Sequence, residues 1–172
     1  FQDIVDVVSV GNEATVDWTD HLVDPKTVER YARELKAKIP QPVTFCENYV
    51  PWLDKLVDLA GTVDLISIHT YPLWEYKTID EALSFTIENY RAVKEMHPDK
   101  PVIVTEAGWT TQSNGEGVPK DHVSEAAQAR YLSELLEWAR HEDVLVYVFE
   151  AFDENWKGSD HPLEPEKHWG IY

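Results

Sequence analysis

Basic residues are scarce in this sequence of 172 residues, where 15 Lys and Arg stand against 32 Asp and Glu and the formal net charge is −17. Proteins bind nucleic acids largely through Lys and Arg side chains that displace the counterions of the phosphates. Anionic membrane surfaces attract basic segments in the same way. We therefore expect no nucleic-acid partner and no membrane partner, whereas an uncharged polymer would be indifferent to this charge. Solubility alone is the simpler explanation of the acidic excess.

Cysteine is almost absent, since Cys46 is the single one in the sequence. An intrachain disulfide is therefore excluded. No Cys/His pair has the spacing of zinc ligands. No glycine-rich phosphate loop is present either. We therefore expect neither a metal nor a cofactor, and the sequence argues against phosphate or nucleotide chemistry.

Long apolar runs are also missing, since stretches such as Val144–Phe149 fall far short of the roughly 18 residues that span a membrane. Residues 1–4 carry no basic stretch and no long apolar run, so no signal peptide is predicted. Hydrophobic residues nevertheless make up 43% of the chain, which is enough for a packed core. We expect residues 1–172 to form a single domain.

Short β-branched segments alternate with longer amphipathic segments along the chain. The predicted strands are Ile4–Val10, Pro42–Cys46, Val63–His69, Pro101–Thr105 and Val144–Phe149. The predicted helices are Pro25–Ile39, Val50–Leu59, Ile79–Met96 and Ser124–Arg140. Near-continuous apolar strands are buried on both faces, and their alternation with helices indicates parallel βαβ units. The sequence therefore predicts an α/β fold with about five parallel strands and four helices.

Turn and cap residues set the expected helix ends. Asp24 is a predicted N-cap with Pro25 at the first helical position, and Pro40 ends that helix. Gly61 is expected to close the second helix, and Ser124 is expected to cap the last one.

Acidic or hydrogen-bonding residues follow most of the predicted strands. They are Asn12 with Glu13, His69 with Tyr71, Glu106, and the segment Glu150–Glu154. In parallel barrels the catalytic groups gather at the carboxyl ends of the strands. Five strands are nevertheless too few to close an eight-stranded barrel, which takes about 250 residues.

Two of these carboxylates, Glu13 and Glu106, each end an apolar strand, where a charge must face water or be paired. Glycoside hydrolysis needs two such groups, one to protonate the leaving oxygen and one to attack the sugar or activate water. The alternative is that each is a helix cap or one half of a salt bridge.

Four segments resemble the glycoside hydrolases of family 17, which are β-1,3-glucanases and β-1,3-glucanosyltransferases. The segments are Val10–Glu13, Ile68–Pro72, Val104–Trp109 and Phe149–Lys157, and the closing His168–Tyr172 resembles the end of bacterial members. The resemblance implies a (β/α)8 TIM barrel with catalytic glutamates at strands four and seven. Because it begins at the family's fourth strand, we expect a partial barrel that lacks the first three βα units.

The resemblance implies that Glu13 is the acid/base and Glu106 the nucleophile of a retaining mechanism. Asn12 would hydrogen-bond the sugar beside the acid, or it only shapes the strand end. Tyr71 would hold the nucleophile by its hydroxyl, or it is a core tyrosine beside a proline.

Glu154 and Lys157 match an acid and a lysine that line the same site in the family, and the alternative is a surface ion pair. His69 would orient a carboxylate, or it is a satisfied core histidine. Trp109 and Trp156 are candidate platforms for sugar rings, and either is alternatively a core residue.

Glu47 and Glu150 also end strands, but we expect neither to be catalytic. The expected activity is that of a retaining β-1,3-glucan hydrolase, with a glucanosyltransferase or a non-catalytic glucan-binding remnant as alternatives. The expected partners are β-glucan chains and either a second copy or a complementary half-barrel, because a partial sheet exposes its edges. The family suggests a secreted or periplasmic location.

Overall fold

The computed structural model describes residues 3–172. Phe1 and Gln2 lie outside the described residues, and so does the part of the signal-peptide expectation that concerns them. The strands are β1 Val8–Asn12, β2 Val43–Asn48, β3 Ile66–His69, β4 Val102–Ala107 and β5 Val146–Val148. The α-helices are α1 Pro25–Lys36, α2 Tyr49–Trp52, α3 Val57–Thr62, α4 Ile79–Met96 and α5 Glu125–Glu142. Short 3-10 helices cover Pro72–Glu75, Lys120–His122 and Pro165–Lys167.

The strands form one parallel sheet whose spatial order, β1-β2-β3-β4-β5, follows the chain. Val8 pairs with Val43, and Cys46 pairs with Ser67, so residue numbers rise together across the sheet. Parallel neighbours need a crossover connection between them, which helices supply in most cases. The predicted α/β class and parallel sheet are therefore confirmed.

The chain divides into two compact units. The first comprises the residues up to His69 together with 89–105, and the second comprises 70–88 together with 106–172. The expectation of a single domain over 1–172 stays a prediction.

The core of the first unit lies where α1 covers β2. Asp24 caps α1 by accepting the Lys26 N–H at 2.7 Å, and Pro25 takes the first helical position, both as predicted. Val28 and Ala32 are the buried residues of α1, and Val43 and Phe45 are fully buried apolar residues of β2.

The predicted helix over Val50–Leu59 is wrong, because two short helices, α2 and α3, occupy this stretch. The backbone turns between them, where the Leu56 N–H donates to the Pro51 carbonyl at 2.9 Å. The break allows Trp52 and Leu56 to be fully buried, and the Trp52 indole donates to the Ser67 carbonyl at 3.1 Å. Gly61 lies inside α3 and does not close a helix.

Several strand ends differ from the predicted ones. Strand β1 begins at Val8, since the preceding Ile4 is exposed and the first ladder bond joins Val8 to Pro42 at 3.0 Å. Strand β4 runs through Glu106 to Ala107, whereas the predicted strand stopped one residue before Glu106.

The core of the second unit surrounds α5, which Ser124 caps as predicted by accepting the Ala127 N–H at 3.0 Å. The buried Gln128 amide donates to the carbonyls of Trp109, Trp169 and Gly170. One helix side chain therefore ties down both the segment after β4 and the end of the chain. No helix among residues 3–172 combines the length and apolar character needed to cross a membrane.

Candidate active site

Glu13 follows β1 in a backbone conformation that side chains rarely adopt, with φ at 43°. Non-glycine residues in this left-handed region are uncommon and cluster at functional sites. The Glu13 N–H donates to the Cys46 carbonyl at 3.0 Å, which anchors the main chain to β2. The Glu13 carboxylate is 29% exposed, and its Oε1 lies 3.0 Å from the His69 Nδ1.

His69 is the last residue of β3 and is fully buried. A ring nitrogen can accept a proton from a carboxylic acid or donate one to a carboxylate, according to its tautomer and charge. His69 is thus both a buried histidine and a partner of Glu13, so the two alternatives of the sequence analysis are compatible.

The remaining strand-end residues of this unit are Asn12, Cys46 and Glu47. Asn12 is exposed at the end of β1, opposite Cys46 in the sheet register. Burial raises the pKa of the Cys46 thiol, but hydrogen bonds with His69 and Ser9 outweigh burial and leave the pKa below its ordinary value. Glu47 is fully buried and accepts hydrogen bonds from Thr15.

In the second unit, Glu106 lies on β4 and is held by the segment that follows β3. The Thr70 N–H donates to the Glu106 carbonyl at 3.0 Å, and the Tyr71 hydroxyl donates to the Glu106 Oε2 at 2.5 Å. Hydrogen bonds from a hydroxyl to a carboxylate are this short and are among the stronger ones. The Tyr71 ring packs edge-on against Phe149 and Trp169, at centroid distances of 5.7 and 5.2 Å.

Lys157 lies between two carboxylates beyond β5. Its Nζ is 2.5 Å from the Glu154 Oε2 and 3.4 Å from the Glu150 Oε2, and it lies 4.4 Å from the centroid of the Phe149 ring. Burial raises the pKa of Glu150; Lys157 opposes this and Glu154 adds to it, so the pKa lies above its ordinary value. The Lys157 and Glu154 side chains are 22% and 28% exposed, so this pair is partly buried, and its place in a sugar site stays a prediction.

The two candidate sugar platforms differ in exposure. Trp109 is fully buried, donates to the His122 carbonyl at 3.2 Å and packs on Tyr131. Its ring has no face open to a ligand, so the platform expectation is corrected and Trp109 is a core residue. Trp156 is 76% exposed, and its role as a platform stays a prediction.

Each unit thus assembles one part of the predicted site. The first joins Glu13 to His69, and the second joins Glu106 to Tyr71. Thr15 carried no signal in the sequence, Cys46 stood out only as the single cysteine, and Glu47 was expected not to be catalytic. The signal available for Glu47 was an acidic residue within an apolar strand. The pairing of Glu13 with Glu106 stays a prediction.

A parallel α/β sheet with carboxylates at its strand ends is the arrangement of barrel glycoside hydrolases. The family model of the BtgE/BtgC glycoside hydrolase domain matches residues 1–170, and the chain belongs to that family.

Similar proteins agree with this assignment. The chain is 27% identical to the probable β-glucosidase btgE of Aspergillus clavatus over 98% of its own length and 29% of that protein. An endo-laminarinase structure from Formosa Hel1_33_131 matches with a TM-score of 0.89 and 25% identity, over 99% of this chain and 55% of that one. The family 17 β-1,3-glucanosyltransferase of Rhizomucor miehei matches with a TM-score of 0.81 and 25% identity, over 97% of this chain and 59% of that one.

These matches confirm the resemblance to family 17 and the partial (β/α)8 barrel. The chain spans 55% and 59% of the two solved structures and 29% of the curated relative. The activity, substrate and partners of the whole protein are therefore matters for proposal.

Proposed function

We propose that this chain carries both catalytic carboxylates of a retaining glycoside hydrolase that acts on β-1,3-glucan. Glu106 is the nucleophile and Glu13 is the acid/base. The observation that carries the proposal is the 2.5 Å hydrogen bond from the Tyr71 hydroxyl, which fixes the orientation of the Glu106 carboxylate. The likeness to an endo-laminarinase and to a β-1,3-glucanosyltransferase supports the substrate class.

In the first step a Glu106 oxygen attacks the anomeric carbon while Glu13 gives its proton to the glycosidic oxygen. The bond between that carbon and that oxygen breaks, the leaving sugar departs with the proton, and an ester joins the remaining sugar to Glu106. Tyr71 contributes by holding the attacking carboxylate in one orientation, which lowers the entropic cost of reaching the transition state.

In the second step the Glu13 carboxylate takes a proton from water, whose oxygen attacks the anomeric carbon. The ester bond breaks, which returns Glu106 as a carboxylate and Glu13 as an acid. Retention of this kind requires the two carboxyl groups to be about 5–5.5 Å apart. His69 supports Glu13 in both protonation states, because an imidazole nitrogen can either accept or donate.

The proposed sugar contacts are Asn12 beside the acid and Trp156 as an exposed stacking surface. Lys157 and Glu154 line the site of the second unit, where the Lys157 ammonium offsets the negative charge of the carboxylates that follow β5. An uncharged glucan is compatible with the net charge of −17, which would repel anionic polymers.

The test replaces each carboxylate separately in the full-length protein and measures hydrolysis of laminarin oligosaccharides. E106Q lowers kcat by at least about 10⁴-fold, the order found when a catalytic nucleophile is removed. E13Q lowers kcat by about 10²–10⁴-fold. Proton NMR of early products shows the β-anomer, and the rate follows a bell-shaped pH profile because one carboxyl is ionised and the other protonated.

The matched control is E116Q, which alters an exposed loop glutamate of the second unit and leaves the rate unchanged. Equal slow release of reducing sugar by the wild type and E106Q would sink the hydrolase proposal and favour a glucan-binding remnant. Initial release of the α-anomer would exclude retention.

Transfer of the sugar to another glucan is the second candidate, favoured by the likeness to the Rhizomucor miehei glucanosyltransferase. The chemistry of the first step is the same, and the two differ only in whether water or a sugar hydroxyl takes the glycosyl group. Products longer than the starting laminarin oligosaccharide identify transfer. For the whole protein we propose secretion or a periplasmic location, as in the family that the chain resembles.

A further inference from the structure

Glu47 is the one acidic residue whose side chain is fully buried in the part of the chain that the structure describes. It lies near the end of β2, between Cys46 and Asn48. A buried carboxylate is costly unless hydrogen-bond donors replace the water that it loses. The hydrogen-bond donors around Glu47 therefore indicate which part of the structure this carboxylate holds in place.

Three donors converge on the Glu47 carboxylate. Oε2 accepts the Thr15 N–H at 2.8 Å and the Thr15 hydroxyl at 2.7 Å, while Oε1 accepts the Asn48 N–H at 2.8 Å. Thr15 is itself buried, with 1% exposed. Both oxygens are thus engaged, and two of the three bonds reach a residue 32 positions earlier in the chain.

Thr15 follows Glu13 by two residues, so β2 forms hydrogen bonds with the loop after β1 at two neighbouring positions. The Cys46 carbonyl accepts the Glu13 N–H at 3.0 Å, and Glu47 accepts both donors of Thr15. Between these points the backbone of Glu13 takes its left-handed φ of 43°. A side chain keeps such a conformation only where its surroundings over-determine it.

We propose that Glu47 is a positioning residue for Glu13, which fixes the loop after β1 through Thr15 so that the acid/base carboxylate meets His69. The inference rests on the proposed function. Glu47 touches neither the sugar nor the reacting atoms, and acts only through Thr15. A misplacement of about 1 Å at a reacting group can cost on the order of 10²-fold in rate.

The test uses two substrates that need the acid to different degrees. A laminarin oligosaccharide needs a proton on its leaving oxygen, whereas the dinitrophenyl glycoside of laminaribiose releases a stable phenolate without one. In the full-length protein, E47Q keeps one acceptor oxygen and turns an NH2 group toward a donor. We expect kcat on the oligosaccharide to fall by about 10–10²-fold, with the first burst of dinitrophenolate changed less than about 3-fold.

Thr15→Val keeps the N–H and removes the hydroxyl, so we expect a smaller loss of kcat with the same selectivity between the two substrates. This variant keeps the test decisive if E47Q fails to fold. Thr15→Ser restores the oligosaccharide rate. E34Q, on the exposed face of α1, is the control and leaves the rates with both substrates unchanged. The positioning role would be overturned if E47Q and Thr15→Val each lost as much rate with the activated glycoside as with the oligosaccharide. It would also be overturned if neither variant lost rate with either substrate. If E13Q itself shows no selectivity for the activated substrate, the proposed function fails instead.

Discussion

At the residue scale, each proposed catalytic carboxylate forms a hydrogen bond with a side chain from β3 or the segment just after it. His69 ends β3 and meets Glu13, and Tyr71 follows two residues later and meets Glu106. The main chain of Glu106 is held by Thr70 from the same segment. Residues 69–71 therefore supply one contact to Glu13 and two to Glu106, so substitutions in this segment test the proposed roles of both glutamates.

Tyr71→Phe tests the orientation of the nucleophile. The ring keeps its packing against Phe149 and Trp169, while Glu106 loses a hydrogen bond to a charged group, which contributes about 1.5–3 kcal/mol. We expect kcat on laminarin oligosaccharides to fall by about 10–10²-fold with thermal stability nearly unchanged. Tyr76→Phe, at an exposed tyrosine of the same unit, is the control. An unchanged kcat in Tyr71→Phe would count against an orienting role.

At the element scale, Asp64 joins α1 to the sheet just ahead of β3. The Lys36 ammonium donates to its Oδ1 at 2.7 Å, and the Val43 N–H donates to its Oδ2 at 2.8 Å. Burial raises the pKa of Asp64, but these two donors outweigh burial and hold the pKa below its ordinary value. A carboxylate of this kind stabilises the fold above its unfolded pKa, and the stabilisation is lost as pH falls through the lower folded pKa.

Asp64→Asn is therefore expected to be less stable than the wild type near neutral pH, with the difference shrinking as pH falls below about 4. Denaturant unfolding of both proteins across this pH range measures the difference directly. Asp20→Asn, in the exposed loop before α1, is the matched control. A difference that stays constant down to acid pH would show that the Asp64 charge does not stabilise the fold.

The elements also show where sequence reasoning succeeds. The caps Asp24 and Ser124 and both ends of α4 were predicted, because capping and helical periodicity are local properties of the chain. The break between α2 and α3 was not, since it depends on burying Trp52 and Leu56 against residues distant in sequence.

The candidate site follows the same division. Placing Glu13 and Glu106 at strand ends needed only the apolar pattern and the turn that follows, although β4 continues past Glu106. The burial of Trp109 and the bond from Thr15 to Glu47 depend on tertiary packing, which the composition and spacing of residues do not encode.

At the scale of the whole molecule, the chain spans just over half of the two solved structures it resembles. In the sheet order, β1 and β5 are the terminal strands, and Tyr147 of β5 and Leu145 just before it are about half exposed. Terminal strands with apolar residues pair readily with further chain segments or other molecules. We therefore propose that the barrel is completed by a complementary half or by a second copy of this chain.

Light scattering after size exclusion tests this proposal on the 172-residue chain produced alone. We expect a dimer or larger species whose proportion rises with concentration, because each terminal strand offers backbone donors and acceptors for pairing. Tyr147→Lys places a charge on β5 and is expected to reduce association, whereas Tyr76→Lys is not. A monomer at all concentrations would exclude completion by a second copy and leave the complementary half.

The left-handed backbone at Glu13 has a conformational cost at the position of the proposed acid/base. Glycine adopts this conformation without the cost of about 1–2 kcal/mol that a side chain incurs there. Backbone conformation alone would favour glycine at residue 13, whereas the contact of the carboxylate with His69 and its proposed role as the acid/base favour glutamate. In a lineage that lost the proposed activity, only the contact with His69 would still favour glutamate over glycine at residue 13.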